Sequence, residues 1–170
     1  MTDLARYIRD IPDFPKPGIL FKDITPLLAD AAAFRSTVDR LAERFRGRAD
    51  VVLGIESRGF IVGAAAAYAL GTGIAVVRKP GKLPYRTHRA TYELEYGTDS
   101  LEIHHDAVGH RTRVLLIDDL LATGGTAAAA IDLVGQCGGS VAGCAFLIEL
   151  TALGGRSKLA GHEVHALIAY

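Results

Sequence analysis

Short, unbroken runs of apolar residues alternate with stretches of helical periodicity along most of this chain. Each run is about one strand long and is bounded by charge or glycine, which is typical of strands buried on both faces. The stretches between them can form crossover helices. This alternation predicts an α/β fold, with a mostly parallel central sheet flanked by helices. The predicted strands are residues 51–55, 73–77, 114–117, 141–150 and 163–170.

Three helical segments are expected to cover this sheet. Residues 34–45 carry apolar side chains at helical spacing, and Asp30 is a candidate N-cap. Residues 61–70 and 126–134 are rich in alanine. Because alanine has high helix propensity and a small side chain, these two helices can pack closely on a sheet.

Two segments interrupt the alternation. The N-terminal sequence PDFPKPGILFKDITPL contains prolines that exclude a regular helix and favour an extended chain. Residues 79–107 begin with a glycine- and lysine-containing turn, followed by two apolar-polar alternating segments, 92–96 and 101–103, around a turn at 97–100. They predict a β-hairpin inserted into the α/β core, and such insertions often close over ligands.

Composition limits the class of protein. The 170 residues are 49% hydrophobic and 22% charged, which favours one globular domain over residues 1–170. Because 19 basic residues balance 19 acidic ones, nucleic acid is not expected as a partner. The apolar stretches are too short for a signal peptide or a membrane span, so no membrane association is expected. Cys137 and Cys144 lack paired spacing and are interpreted as buried thiols of a cytoplasmic protein.

The sequence VLLIDDLLATGGTA, residues 114–127, carries the strongest functional signal. Asp118 and Asp119 are expected at the carboxyl end of a buried strand, where open parallel sheets bind ligands. The glycines and threonines that follow open a helix, so backbone N–H groups, hydroxyls and the helix dipole favour a phosphate. Adjacent carboxylates accept hydrogen bonds from a diol and attract magnesium. Together these features predict a sugar phosphate as the ligand.

Other interpretations of this motif are weaker. A strand that ends in solvated aspartates before a glycine turn would need no ligand, but the whole combination is uncommon for that purpose. Neither the nucleotide-binding pattern GxxxxGK[ST] nor the dinucleotide fingerprint GxGxxG is present in it.

The motif resembles the signature of the type I phosphoribosyltransferases, in which an apolar strand is followed by two acids and TGGT. The resemblance covers residues 14–155, and within this family the chain most resembles the adenine-specific branch. It implies the type I fold, with an N-terminal hood over about 1–30 and a flexible catalytic loop over about 79–107. Four segments indicate the adenine-specific branch: PGILFKDITPLL, IESRGF, RKPGKLP and YELEYGTDSLEIH.

The resemblance also implies a reaction. Adenine would react with 5-phosphoribosyl 1-pyrophosphate, giving AMP and pyrophosphate in purine salvage, with Mg²⁺ as cofactor. Asp118 and Asp119 would hold the ribose hydroxyls, directly or through water and metal, and would stabilise positive charge at the anomeric carbon. Glu95, in the inserted hairpin, would handle a proton during formation of the N–C bond. The 5-phosphate would lie in a cradle formed by Ala122, Thr123, Gly124, Gly125 and Thr126.

Pyrophosphate and adenine would occupy separate subsites. The resemblance assigns pyrophosphate to Glu56, Ser57, Arg58, Arg78, Lys79 and Lys82, with a cis peptide between Glu56 and Ser57. For the basic residues of 78–82 the alternative is a solvated turn. The resemblance assigns adenine to Leu20, Phe21 and Lys22 of the hood. Phe21 would stack on the base while backbone groups read its amino edge, and core packing is the alternative for Phe21.

Several alternatives remain open at this point. The resemblance implies a homodimer, in which a basic residue of one subunit can reach the neighbouring site. The same motif would also suit transfer to another nucleobase, or a regulator that binds phosphoribosyl pyrophosphate without turnover. Zero net charge, no expected additional domain and the presence of Glu95 favour the enzyme. Adjacent strand residues point to opposite faces, so His104 and His105 are interpreted as hairpin-base or surface residues rather than metal ligands.

Overall fold

A computed structural model describes residues 2–93 and 97–170 of the chain. The strands are β1 (Arg9–Pro12), β2 (Leu20–Asp23), β3 (Val51–Ile55), β4 (Gly73–Val77), β5 (Thr87–Glu93), β6 (Thr98–His104), β7 (Arg113–Leu121), β8 (Ser140–Glu149) and β9 (Val164–Ala169). Five of them form a parallel sheet in the order β4-β3-β7-β8-β9. The predicted α/β fold with a parallel central sheet is confirmed.

Helices flank this sheet on both faces. They are α1 (Thr25–Ala29), α2 (Ala31–Phe45), α3 (Arg58–Leu70) and α4 (Gly125–Gln136), with short 3₁₀ helices at Ala5–Tyr7, Thr151–Leu153 and Gly155–Leu159. The predicted N-cap is correct, since the Asp30 carboxylate accepts hydrogen bonds from the backbone N–H groups of Ala32 and Ala33. Helix α3 ends at Gly71, whose positive φ of 71° suits a residue without a side chain.

The core has two layers because successive side chains of a strand point to opposite faces. On one face, Val52 and Leu115 pack with the buried sides of α2 and α3. On the other face, Leu53 and Leu116 pack with α4 and with the β5–β6 hairpin. The inserted hairpin is therefore part of the same core as helix α4.

Strand β7 is longer than predicted. It continues past Ile117 through both aspartates to Leu121. Its pairing with β3 stops at Ile117, whereas its pairing with β8 continues and matches Asp118 with Phe146. The acidic pair therefore lies within a strand that is hydrogen-bonded on one side only, rather than after the end of the strand.

The inserted segment is an antiparallel hairpin, as predicted, but its turn is placed differently. The first strand begins at Thr87, and Glu93 pairs with Thr98. The residues expected in the turn, from Thr98 to Ser100, are thus part of β6. Residues 94–96 lie outside the described part of the chain.

The N-terminal segment forms a small antiparallel sheet from β1 and β2. The Phe14–Pro15 peptide bond between these strands is cis. Leu4, Ile24 and Leu27 pack against Leu147 of β8 and Ile168 of β9 in a third apolar cluster. These contacts fix the N-terminal segment over one end of the central sheet.

The described helices include none with the length and apolar character needed to cross a bilayer. Both cysteines are free thiols. Cys144 is buried as predicted, and burial raises the pKa of its thiol to about 12. The prediction for Cys137 is wrong in degree, because this residue is only half-buried at the end of α4.

An exposed ion pair joins the starts of β3 and β7. The Asp50 carboxylate accepts hydrogen bonds from the backbone N–H of Arg113 at 2.8 Å and from its guanidinium Nη2 at 2.7 Å. The hydrogen bonds from Arg113 lower the pKa of Asp50 from 3.8 to about 2. This contribution to stability is therefore complete above pH 3.8 and is lost as the pH falls through about 2.

We predict that Asp50→Asn lowers the melting temperature at neutral pH, because the amide cannot replace the carboxylate opposite a guanidinium. The difference from wild type should narrow as the pH falls from 3.8 towards 2, where the wild-type carboxyl becomes protonated. Thermal melts over this pH range measure it, with Asp39→Asn on the exposed side of α2 as the control. A difference that stays constant with pH would show that the charge of Asp50 does not stabilise the fold.

Candidate active site

The central sheet has a topological switch point between β3 and β7. These strands are neighbours, but the crossover through α3 leads from β3 to β4 on one side, and the crossover through α4 leads from β7 to β8 on the other. Such a divergence opens a crevice at the carboxyl ends of the two strands. A cavity of about 310 Å³ lies there, lined by Glu56, Ser57, Arg58, Lys79, Tyr92, Leu101, residues 118–124, Thr126 and Ala127.

The two predicted acids lie in the wall of this cavity. Asp118 and Asp119 are 9% and 6% exposed, and the backbone N–H of Asp119 donates to Oδ1 of Asp118 at 2.9 Å. Burial, together with the neighbouring charge of Asp119, raises the pKa of Asp118 well above its usual value. Helix α3 can approach this carboxylate only through Gly59, where a Cβ would lie 2.6 Å from Oδ1 of Asp118.

Arg58, the first residue of α3, connects the acidic pair with the N-terminal segment. Its Nε donates to Oδ2 of Asp119 at 2.5 Å. Its guanidinium carbon also lies 5.0 Å from the ring centre of Phe21, which is a cation–π distance. One side chain thus contacts both a predicted ribose-binding acid and the predicted base-stacking residue.

The predicted phosphate cradle, residues 122–126, connects β7 to the first turn of α4 and is here called the phosphate loop. Gly124 has a φ of 81°, lines the cavity and directly precedes the first turn of α4, where backbone N–H groups have no partner within the helix. Its backbone packs directly on Gly155, where a Cβ would lie 2.1 Å from the carbonyl oxygen of Ala122. Four of the five predicted cradle residues line the cavity; Gly125 instead lies under the ring of Tyr92.

The predicted pyrophosphate residues divide into two groups. Glu56, Ser57, Arg58 and Lys79 line the cavity, and the Glu56–Ser57 peptide is cis, as the resemblance implies. Arg78 instead pairs with Glu56 at 3.0 Å and donates to the backbone carbonyl of Lys82, whose side chain is exposed. The hydrogen bond from Arg78 lowers the pKa of Glu56.

The three predicted adenine-binding residues do not line the cavity. Leu20 is 49% exposed, while Phe21 is half-buried, with its ring edge-on to Phe14 at 5.1 Å. The ammonium of Lys22 pairs with Asp10 at 2.7 Å and lies 3.9 Å from the ring centre of Tyr170. The Lys22 side chain is thus committed to the N-terminal sheet and the C-terminus.

The chain is similar to known proteins over most of its length. The phosphoribosyl transferase domain family matches residues 23–163. The chain belongs to the phosphoribosyltransferase family.

Its relatives include adenine phosphoribosyltransferases that match it along the full length. An adenine phosphoribosyltransferase of Syntrophotalea carbinolica is 58% identical over 171 residues, covering 100% of both chains. The crystal structure of the enzyme from Thermoanaerobacter pseudethanolicus has a TM-score of 0.96 at 54% identity, covering 99% of this chain and 98% of that one. The Saccharomyces cerevisiae enzyme, in complex with an imino-altritol bisphosphate and adenine, has a TM-score of 0.89 at 41% identity, covering 95% of this chain and 94% of that one.

Glu95, the predicted proton-handling residue, lies outside the described residues. His104 ends β6 at the base of the hairpin, where its Nε2 accepts a hydrogen bond from the backbone N–H of Tyr85 at 3.3 Å.

Tyr92, Asp99 and Gly155 were not among the predicted site residues. Tyr92 lines the cavity, Asp99 pairs with Lys79, and Gly155 packs on the phosphate loop. The hairpin alternation predicts Tyr92 on a strand but Asp99 in the turn, so it gives no sign that the two residues are paired across the hairpin. A sequence signal for Gly155 is the GG pair at 154–155, since adjacent glycines permit close backbone packing.

We predict that Asp118→Asn stabilises the protein while reducing its activity. The folded state raises the pKa of this carboxyl, so stability falls as the pH rises and the group ionises. The amide removes that cost, and its oxygen can still accept from the Asp119 N–H. The melting temperature should rise more at neutral than at acidic pH, and AMP formation should fall about tenfold or more.

Thermal melts and steady-state rates test this pair of effects. Asp132→Asn, on the exposed side of α4, is the matched control and should change neither. A variant with a lower melting temperature than wild type at neutral pH would contradict the electrostatic interpretation of the acidic pair.

Proposed function

We propose that this chain transfers the 5-phosphoribosyl group from 5-phosphoribosyl 1-pyrophosphate to adenine, giving AMP and pyrophosphate in purine salvage. The observation that carries the proposal is the placement of Asp118 and Asp119 beside a glycine-rich phosphate loop in one cavity. Full-length relatives at 55–58% identity that are adenine phosphoribosyltransferases support the same reaction.

The sugar phosphate would span the floor of the cavity. The loop of residues 122–126 offers backbone N–H groups, two threonine hydroxyls and the amino end of α4 to the 5-phosphate. Asp118 and Asp119, which precede this loop in β7, would accept hydrogen bonds from the ribose hydroxyls. The same carboxylates would stabilise positive charge at the anomeric carbon as its bond to pyrophosphate breaks.

The leaving pyrophosphate would lie on the side of the cavity formed by residues 56–58 and Lys79. The guanidinium of Arg58 and the ammonium of Lys79 supply positive charge there. Although burial acts in the opposite direction, the hydrogen bond with Asp99 raises the pKa of Lys79, so its charge persists at neutral pH. Arg78 and Lys82 would add charge to the same loop.

Magnesium would bind together with the substrate. Among the residues that the structure describes, no three His, Cys, Asp or Glu side chains converge as a metal site. Two adjacent carboxylates fit an ion that takes most of its octahedral oxygen ligands from the substrate, directly or through water. When bound, Mg²⁺ would neutralise charge on the pyrophosphate.

Adenine would enter between the N-terminal hood and the acidic pair. Arg58 contacts both Phe21 and Asp119, and this supports a base site bordered by Phe21. Leu20 and the backbone of Lys22 would complete it. A base nitrogen would attack the anomeric carbon as the C–O bond to pyrophosphate breaks, and Glu95 would take up the proton that the base loses.

We further propose a division of the single domain over 1–170 into a hood at about 1–30, a catalytic loop at about 79–107 and the core. The hood has its own sheet and packs on the end of the core through the third apolar cluster.

Both cysteines are free thiols, which supports a reducing, cytoplasmic location.

An assay with different bases tests the function directly. The protein is mixed with phosphoribosyl pyrophosphate, Mg²⁺ and one of adenine, hypoxanthine, guanine, xanthine or orotate, and nucleotide formation is followed. We expect AMP from adenine alone, with Asp132→Asn as active as wild type. Product from another base would overturn the acceptor, and binding of phosphoribosyl pyrophosphate without any product would indicate a regulator.

We also propose a homodimer that buries an apolar surface on α3 and β4. Ile61 and Tyr68 on the outer side of α3 are 47% and 90% exposed, and Ile74 on the edge strand β4 is 40% exposed. Neighbouring exposed apolar side chains of this size are typical of subunit interfaces.

We predict that Tyr68→Glu weakens this dimer, because a charged side chain would be buried at its centre. Sedimentation velocity over a range of protein concentrations measures the association. Leu153→Glu is the control, since Leu153 is another exposed apolar residue, at 50%, but lies on a 3₁₀ helix outside this surface. If Tyr68→Glu dimerises as strongly as wild type, the interface lies elsewhere.

A further inference from the structure

Tyr92 of the inserted hairpin lies against the phosphate loop. Its ring covers Gly125, the first residue of α4, where a Cβ would lie 3.0 Å from Cδ2 of the tyrosine. The side chain is half-buried and lines the cavity. The ring therefore brings a phenol hydroxyl from the hairpin next to the residues that form the phosphate cradle.

Within residues 2–93 and 97–170, the hydroxyl of Tyr92 has three polar neighbours. It lies 3.3 Å from Oγ1 of Thr126, 3.3 Å from Oδ2 of Asp99 and 3.4 Å from Nζ of Lys79. A phenol has one proton to donate, so it donates to the carboxylate and accepts from the other two. Lys79 also pairs directly with Asp99, which closes the network.

We propose that Tyr92 is a positioning residue that holds the hydroxyl of Thr126 in the orientation needed to bind the 5-phosphate. The proposal rests on the proposed function of the loop at 122–126. When a phosphate accepts the Thr126 proton, the Tyr92 hydroxyl can turn and donate to the Thr126 oxygen. Asp99 keeps its ion pair with Lys79, so no charge in the network is left without a partner.

This role depends on the hydroxyl and not on the ring. A phenylalanine would keep the contact with Gly125 and with the apolar core that Tyr92 borders. It would lose only the bonds to Thr126, Asp99 and Lys79. Tyr92→Phe therefore separates positioning from packing.

The test uses ribose 5-phosphate and pyrophosphate as separate probes for isothermal titration. Ribose 5-phosphate carries the 5-phosphate alone, so its Kd should rise about three- to tenfold in Tyr92→Phe, as expected for one lost hydrogen bond. The Kd for pyrophosphate should be unchanged. In the full reaction the KM for phosphoribosyl pyrophosphate should rise, while kcat and the KM for adenine stay as in wild type.

A double-mutant cycle then identifies the partner. In a Thr126→Val background, Tyr92→Phe should have no further effect on ribose 5-phosphate binding. In a Thr126→Ser background, which restores the hydroxyl, the effect should return. Thr91→Val is the matched control, because Thr91 lies on the same strand and its side chain hydrogen-bonds to Ser100 on the exposed side of the hairpin.

Several results would overturn the proposal. These are an unchanged Kd for ribose 5-phosphate in Tyr92→Phe, an equal loss of pyrophosphate binding, or an effect that persists in Thr126→Val. A wild-type protein that does not bind ribose 5-phosphate would overturn both this proposal and the proposed role of the loop at 122–126. Because these titrations need no turnover, a wild-type protein that binds ribose 5-phosphate but forms no AMP would refute the proposed function alone.

Discussion

The carboxylates of Asp118 and Asp119 lie side by side in a largely buried wall, where their repulsion and their lost hydration both cost free energy. The surrounding structure compensates at the two oxygens it can reach. Arg58 pairs with Asp119, and a backbone N–H donates to Asp118. A ligand with several hydroxyls and a developing positive charge would relieve the remaining cost. The acidic pair thus favours binding of such a ligand over the empty state.

The positive charges near the cavity are held by carboxylates in the same way. Arg58 pairs with Asp119, Arg78 with Glu56, and Lys79 with Asp99. Such pairs fix long side chains that would otherwise lose conformational freedom on binding. An anionic substrate would therefore meet cations that are already oriented, which favours electrostatic stabilisation in the transition state.

Close backbone contacts position the phosphate loop. Gly124 and Gly155 touch each other without room for a Cβ on either, and Gly59 gives α3 the same close approach to Asp118. Buried Glu149, at the end of β8, holds Arg156, the residue after Gly155. The segment at 154–156 is thus a support for the phosphate loop, although it lies far from it in sequence.

The sequence by itself determined the strand and helix pattern, the parallel sheet and the position of the acid-glycine motif at the carboxyl edge of that sheet. These follow from periodicity and from local chemistry, since an apolar run of strand length favours a buried strand and a glycine-rich helix start favours anion binding. Tertiary structure decided what depends on neighbouring elements. Strand β7 passes through Asp118 and Asp119 because β8 continues to pair with it, and the hairpin register sets Tyr92 opposite Asp99. The fold also brings together segments that are distant in sequence, and so forms the ion pairs of Lys79 with Asp99 and of Arg58 with Asp119. Local sequence patterns cannot predict such contacts.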